Sequence, residues 1–145
     1  MAPAPAHDAD REDGTQLLPK FDANGLVTAV VSEVDSGLPL MVAHMNREAL
    51  DLSISSGEAH FYSRSRQEIW HKGGTSGNVL TIKEMWVDCD QDAVWLSVIA
   101  EGHGAACHTG RKSCFFRRVT SQGGENSLEH VGMDPLFDPK KVYRS

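Results

Sequence analysis

No stretch of the chain approaches the roughly 18 consecutive apolar residues that a helical membrane span requires; the longest candidate, Leu26–Val31, is only strand-sized. A membrane-spanning helix is thereby excluded, and a soluble protein is expected. Cysteine is scarce and odd in number. The three residues Cys89, Cys107 and Cys114 cannot all close into intrachain disulfides, and in a reducing compartment their thiols are expected to be free or to ligate metal. Positive charge is in short supply: 14 Lys and Arg stand against 20 Asp and Glu, a formal charge of −6. That balance argues against general nucleic-acid binding, where a basic surface supplies most of the affinity, so an anionic ligand has to meet a local basic patch. The N-terminus lacks both the apolar centre of a signal peptide and the Arg-rich, acid-poor composition of a transit peptide. It carries Pro3, Pro5, Asp8, Asp10, Glu12 and Asp13 instead, from which a short disordered arm over residues 1–14 and a cytoplasmic location are expected.

A chain of 145 residues, 40% hydrophobic and 23% charged, has the size of one domain and a composition near the globular average, which excludes wholesale disorder. No repeat or linker interrupts Thr15–Thr120. The runs Leu26–Val34 and Leu38–Ala43, separated by Asp35, Ser36 and Gly37, predict a hairpin. Asn46 as cap, Glu48 in the first turn, Ala49, Leu50 and Leu52 as helix formers and Gly57 as stop predict one short helix. Strands are expected over Glu58–Tyr62, Gln67–His71, Val79–Val87, Ala93–Ala100 and Cys114–Val119, each bounded by turn residues. The expected fold is mainly β (α+β), a small antiparallel sheet capped by a short helix, over residues 15–120. From Ser121 onward Gly123, Gly124, Pro135 and Pro139 accumulate as periodicity fades, so residues 121–145 read as a loosely packed tail.

Three segments carry chemistry. Cys107 and Cys114 bracket His108-Thr109-Gly110-Arg111-Lys112-Ser113, and Cys89 sits within Asp88-Cys89-Asp90-Gln91-Asp92. Three thiolates would hold zinc tetrahedrally with one position open for water, although without a C-x2-C knuckle the spacing leaves open that they are ordinary buried thiols. Asp88, Asp90 and Asp92 alternate, so an extended segment would turn their carboxylates to one side and Cys89 and Gln91 to the other. Hard oxygen donors suit magnesium. An EF-hand is rejected because Ala93 and Ile99 stand where that loop needs Gly and Glu; a solvated acidic turn stays open as the plainer alternative. The segment Phe61–Asn78 interleaves Arg64, Arg66 and Lys72 with hydroxyls, aromatics and Gly73, Gly74 and Gly77. It has the composition of a phosphate cradle or, equally, of an exposed strand with solvated charges. Among seven histidines, His108 stands out because it follows a candidate ligand and suits proton transfer near neutrality, with a fourth-ligand role as the alternative.

Taken in order, Met45-Asn46, Glu48-Ala49-Leu50, Phe61–Gly73, Ser76-Gly77-Asn78, Asp88–Asp92 and Cys107–Phe115 closely resemble the phosphoribosyl-AMP cyclohydrolases. Several motifs coinciding is far more specific than any one of them. The resemblance implies a homodimer of small, twisted, barrel-like β subunits, one zinc per subunit completed across the interface, and a requirement for magnesium. By position it implies that Cys89, Cys107 and Cys114 ligate zinc and that Asp88, Asp90 and Asp92 ligate magnesium. The implied reaction is hydrolytic opening of the adenine ring of phosphoribosyl-AMP in histidine biosynthesis, with zinc-activated water attacking C6. His108 would move the proton while Arg64, Arg66, Lys72, Ser76 and Asn78 hold the nucleotide. His44 stands where the family is expected to have Tyr, and Gly74 where an acidic residue is usual; neither departure touches a ligand. The family is often fused to a pyrophosphohydrolase domain, for which the residues after Thr120 are too few, so a monofunctional enzyme is expected. Two rival readings remain. A zinc purine deaminase lacks here its His-x-Glu and Pro-Cys-x-x-Cys signature. A structural zinc module using Arg111, Lys112, Arg117 and Arg118 on nucleic acid is opposed by the net acidity and the missing fourth cysteine.

Overall fold

The computed structural model describes residues 8–142. The first apolar runs become strands β1 (Val27–Glu33) and β2 (Pro39–Met45), paired antiparallel. Their turn closes through Gly37, whose φ of 73° suits the residue without a Cβ and whose N–H donates to the Glu33 carbonyl at 2.8 Å. Asn46 caps helix α2 (Arg47–Ser56), its side chain accepting from the Ala49 N–H at 2.8 Å, and Gly57 ends the helix in the left-handed conformation. A hairpin of β3 (His60–Ser63) and β4 (Glu68–His71) follows, then β5 (Leu80–Val87) and β6 (Ala93–Ala100).

The main sheet corrects the expectation of a wholly antiparallel, barrel-like arrangement. It has four strands in the order β2-β1-β6-β5, and β1 pairs with β6 in parallel. The chain leaves the first hairpin through α2 and β3–β4 and returns along the far side of β1, so β6 must run in the direction of β1. The edge strands β2 and β5 do not meet, and the sheet stays open. Mainly β with a few short helices, the fold is α+β.

One face of this sheet is the core. Val27, Ala29, Val31, Leu40, Val94, Leu96 and Val98 pack with Ala49 and Leu50 of α2 and with Phe61 of β3, and removal of that apolar surface from water is the main favourable term. The other face is bare. Register places Val42, Val30, Trp95 and Trp86 side by side across all four strands, exposed by 49%, 37%, 44% and 49%. The two indoles stack at 5.7 Å, and Trp95 Nε1 donates to Ser32 Oγ at 2.7 Å.

Toward both ends, the described residues are more ordered than composition suggests. Residues Asp8–Asp13, expected to belong to an irregular arm, form helix α1; residues 1–7 lie outside the described residues. The strand expected over Cys114–Val119 is β7 (Arg117–Gln122), and residues expected to lie in a loose tail extend it and pair with it as β8 (Glu125–His130), turning at Gly123 and Gly124, both with positive φ. Adjacent glycines are a favoured two-residue hairpin turn. The chain then returns to the body: Leu136 N–H donates to the Gly110 carbonyl at 2.6 Å, and Arg111 Nε to the Met133 carbonyl at 3.0 Å. A last turn of helix, α3 (Pro139–Val142), follows. No helix among the described residues is long and apolar enough to cross a membrane.

Leu96 is fully buried at the centre of the sheet, so Leu96→Ala is expected to lower unfolding stability by about 3 kcal/mol through lost burial plus a residual cavity. Urea denaturation checks it, and a change under 1 kcal/mol would mean that this face is loosely packed.

Candidate functional site

Two clusters of donor atoms lie at opposite ends of β1. At its start is the connection between β5 and β6, which is a tight turn rather than the extended segment expected. Gln91 N–H donates to the Asp88 carbonyl at 3.1 Å, Ala93 N–H to Asp88 Oδ1 at 3.1 Å, and Gln91 adopts φ 58°. Asp88, Asp90 and Asp92 do converge, as anticipated, with one oxygen from each within 4.8 Å of the others, but it is the turn that gathers them. Crowding of like charges shows in their protonation: hydrogen bonds to Asp88 and Asp90 push the Asp92 carboxyl up to about 6, and the bond from Asp92 holds Asp90 below its ordinary range. Three converging hard oxygens form a donor set suited to magnesium. Cys89 is exposed beside them and opens, with Asp88 and Val87, onto a cavity of about 390 Å³ walled on its other side by Arg11, Thr15 and Leu17.

At the end of β1 is the cysteine loop. Ala106 N–H donates to the Lys112 carbonyl at 3.0 Å and Cys107 N–H to the Arg111 carbonyl at 3.1 Å, which folds the loop back and brings Cys107 to Cys114. The loop is fastened to the sheet by Cys114 N–H on the Leu40 carbonyl at 2.7 Å, Ser113 Oγ on the Pro39 carbonyl at 2.6 Å, and the Lys112–Glu33 ion pair at 2.8 Å. Thr109 Oγ1 donates to Cys107 Sγ at 3.1 Å. Desolvation, joined by the neighbouring Cys107 thiol, pushes the Cys114 thiol up to about 12 against the pull of Lys72. Paired soft sulfurs are suited to zinc. Cys89 is not with them: among the described residues the acidic triplet is the only group of three or more His, Cys, Asp or Glu close enough together to hold a metal. His108 follows Cys107 and is exposed.

The basic segment divides. Arg64 and Arg66 are exposed in the turn between β3 and β4, whereas Lys72 is only 5% exposed. Its ammonium lies 5.1 Å from the Trp70 ring centre; burial lowers its pKa, opposed by attraction to Cys114 and Cys107. Lys72 is therefore an interior cation beside the thiols, not a solvent-facing clamp. Asn78 is buried as well. Its Oδ1 accepts from the His103 N–H at 2.7 Å, its own N–H donates to Ser76 Oγ at 3.2 Å, and its Nδ2 has no hydrogen-bond partner among the described residues. Gly102, at φ 65°, crosses so close that an added Cβ would lie 2.5 Å from Asn78 Oδ1. His103, 4.8 Å from the Phe137 ring, was not singled out in the sequence, nor were Thr109, Met133 and Gln91. A histidine beside a glycine turn and a lone glutamine carry no spacing signal.

The model of one protein family, phosphoribosyl-AMP cyclohydrolase, matches residues 41–116. Curated proteins of that name are similar over most of the chain. One from Rhodopseudomonas palustris (strain BisB5) is 57% identical over 143 residues, covering 98% of this chain and 95% of its own length. One from Rhizobium etli is 54% identical over 132 residues, 91% of this chain and 88% of its own length, and one from Agrobacterium fabrum is 54% identical over 140 residues, 97% and 93%.

In metal-free protein at pH 8, a thiol pushed up to about 12 is ionised in only about one molecule in ten thousand, and the thiolate is the nucleophile. Both Cys89 and Cys114 are exposed, so iodoacetamide labelling reads ionisation rather than access, and Cys89 is expected to be labelled well before Cys114, as read by peptide mass mapping over time. Equal labelling rates would contradict the desolvated setting of Cys114.

Proposed function

The chain belongs to the phosphoribosyl-AMP cyclohydrolase family, and on that premise we propose that it hydrolyses the C6–N1 bond of the adenine ring in 1-(5-phosphoribosyl)-AMP, a step of histidine biosynthesis in the cytoplasm, as a homodimer using zinc and magnesium. The observation that carries the metal reading is the division of the cysteines. Cys107 and Cys114 meet at one end of β1, and Cys89 stands at the other, so one chain supplies two thiols at one place and a third elsewhere. Two copies that exchange these ends complete two sets of three.

Cys107 and Cys114 of one copy and Cys89 of the other would hold zinc, which when bound supplies Lewis acidity that brings the ionisation of water toward neutrality. Asp88, Asp90 and Asp92 would hold magnesium, whose charge suits a substrate phosphate. The rest is done by side chains of the protein. His108, exposed beside Cys107, takes a proton from the attacking water and returns it to N1 as the C6–N1 bond breaks and the C6–O bond forms. Arg64 and Arg66, exposed at the hairpin tip, pair with phosphate. The unpartnered Nδ2 of Asn78 is a donor left for the nucleotide, with Ser76 adjoining. Lys72 offsets the charge of the two thiolates beneath it, because a buried cation is costly without a compensating anion. The bare row Val42, Val30, Trp95 and Trp86 crosses the sheet, with its two indoles on the strands that flank the Cys89 turn, and gives a second copy an apolar surface to cover.

Two measurements test this reading. His108→Ala is expected to lower kcat by about a hundred- to ten-thousandfold with zinc content kept at one per subunit; loss of zinc would make His108 a ligand, and unchanged turnover would remove it from the reaction. Cys89→Ser and Cys107→Ser are each expected to abolish turnover and zinc binding. Unfolded and refolded together, they should regain up to about a quarter of wild-type activity, because half the dimers are mixed and each holds one intact set. No recovery, with mixed dimers shown by mass spectrometry, would place all three ligands in one chain or remove one from the set.

A further inference from the structure

The turn that gathers the acidic triplet is itself held by a residue with no charge and no place in a motif. Gln91, between Asp90 and Asp92, is 3% exposed and takes φ 58°, a conformation that costs a residue other than Gly about 1 kcal/mol or more. Its side-chain carbonyl accepts from the Leu18 N–H at 2.7 Å, and its Nε2 donates to the Arg11 carbonyl at 2.9 Å and the Gln16 carbonyl at 3.3 Å. Its backbone carbonyl accepts from the Lys20 N–H at 2.8 Å. One residue of the turn thus satisfies four backbone groups of residues 11–20. The same segment supplies Arg11, Thr15 and Leu17 to the wall of the cavity onto which Asp88 and Cys89 open.

We propose that Gln91 is a positioning residue that couples the order of residues 11–20 to divalent-cation binding by Asp88, Asp90 and Asp92. The proposal rests on the magnesium reading above and deepens it. The left-handed backbone at Gln91 sends its side chain inward to the N-terminal segment while the carboxylates on either side converge outside the turn. Releasing the side chain would leave a buried amide unpaired at a cost comparable to a lost hydrogen bond or more, so the inward position is kept as long as the segment is in place. Relaxing the turn toward ordinary φ would spread the carboxylates. Coupling of this kind is reciprocal: the ordered segment tightens the cation site, and a bound cation tightens the segment.

The test is Mg²⁺ titration by calorimetry on the purified full-length protein, alongside amide hydrogen exchange with and without Mg²⁺. Gln91→Ala and Gln91→Gly, the second relieved of strain at φ 58°, are both expected to weaken Mg²⁺ binding about tenfold or more, the usual loss when a group that orients a ligand is removed. Leu18→Pro removes the N–H donor from the segment side without touching the turn, and is expected to weaken Mg²⁺ in the same direction. In wild-type protein Mg²⁺ should slow exchange at the Leu18 and Lys20 amides, and in both Gln91 variants it should not. Wild-type Mg²⁺ affinity in Leu18→Pro overturns the coupling even if a Gln91 variant fails to fold. Wild-type affinity in Gln91→Ala or Gln91→Gly removes the positioning role. If wild-type protein shows no Mg²⁺ binding that Asp90→Asn weakens, the magnesium reading falls and the coupling with it, an outcome distinct from Mg²⁺ binding that ignores residues 18 and 91.

Discussion

The parallel pairing of β1 with β6 is the constraint from which the rest of this molecule follows. It sets Thr28 beside Ala93 and Ser32 beside Ser97, so the β5–β6 turn is delivered to the start of β1, where Thr28 N–H donates to the Asp92 carbonyl at 3.3 Å. The other partner of β1, β2, runs antiparallel and opens at its far end, with Ser32 beside Pro39. That end is where Ser113 and Cys114 are fastened to Pro39 and Leu40, and where Lys112 reaches Glu33. Four steps of strand lead from Thr28 to Ser32, roughly 13 Å at about 3.3 Å per residue. Cys89 and the pair Cys107 and Cys114 are therefore held apart by an inner strand of the sheet.

Each end is electrostatically unfinished in the metal-free protein. At the start of β1 the Asp92 carboxyl rises to about 6 because hydrogen bonds with Asp88 and Asp90 favour a proton on it, with charge repulsion among the three adding to the rise. At the far end desolvation and a neighbouring thiol carry Cys114 to about 12, while the one cation that opposes the rise, Lys72, is itself disfavoured by burial. Asp92 and Cys114 each hold a proton that a bound divalent cation would have to displace, so cation binding at either would strengthen as pH rises. The order follows from the two values: the Asp92 carboxyl gives up its proton near neutrality, whereas the Cys114 thiol would need a soft cation to lose its own.

The sequence is most legible where the structure is itself local. Asn46 and Gly57 bound α2 as a cap and a stop, and the Gly37 turn marks the first hairpin, because each depends on a side chain or φ angle that few residues supply. The parallel β1–β6 contact left no such mark: residues 65 apart in sequence, Thr28 and Ala93, pair through backbone groups that every residue carries. Strand β8 of the last hairpin leaves no mark for a related reason. Glu125–His130 is exposed along its whole length and so lacks the alternation by which half-buried strands are recognised. In the site, the acidic triplet is legible as a cluster of one chemistry, whereas the three cysteines read as one set and the sequence carries no sign that Cys89 stands apart from the other two. The burial of Lys72 is not legible because a cation among glycines and aromatics looks the same whether it faces solvent or lies beside Trp70, and Gln91 is not because its contacts depend on a backbone angle.

The separation enforced by β1 also constrains how two copies would meet. For the start of one β1 to reach the end of another, the two strands must run in opposite directions, as a two-fold axis across the sheet requires. An isologous interface repeats every contact, so if the Cys89 turn of one copy lies on the Cys107–Cys114 loop of the other, the reverse contact forms as well and both sites are completed together. The row Val42, Val30, Trp95 and Trp86 crosses the sheet between those two ends. Covering it on both copies removes two stacked indole pairs from water, and aromatic area of this kind dominates interface energetics. The sheet that keeps the thiols apart within a chain thus supplies the surface that would bring them together between chains.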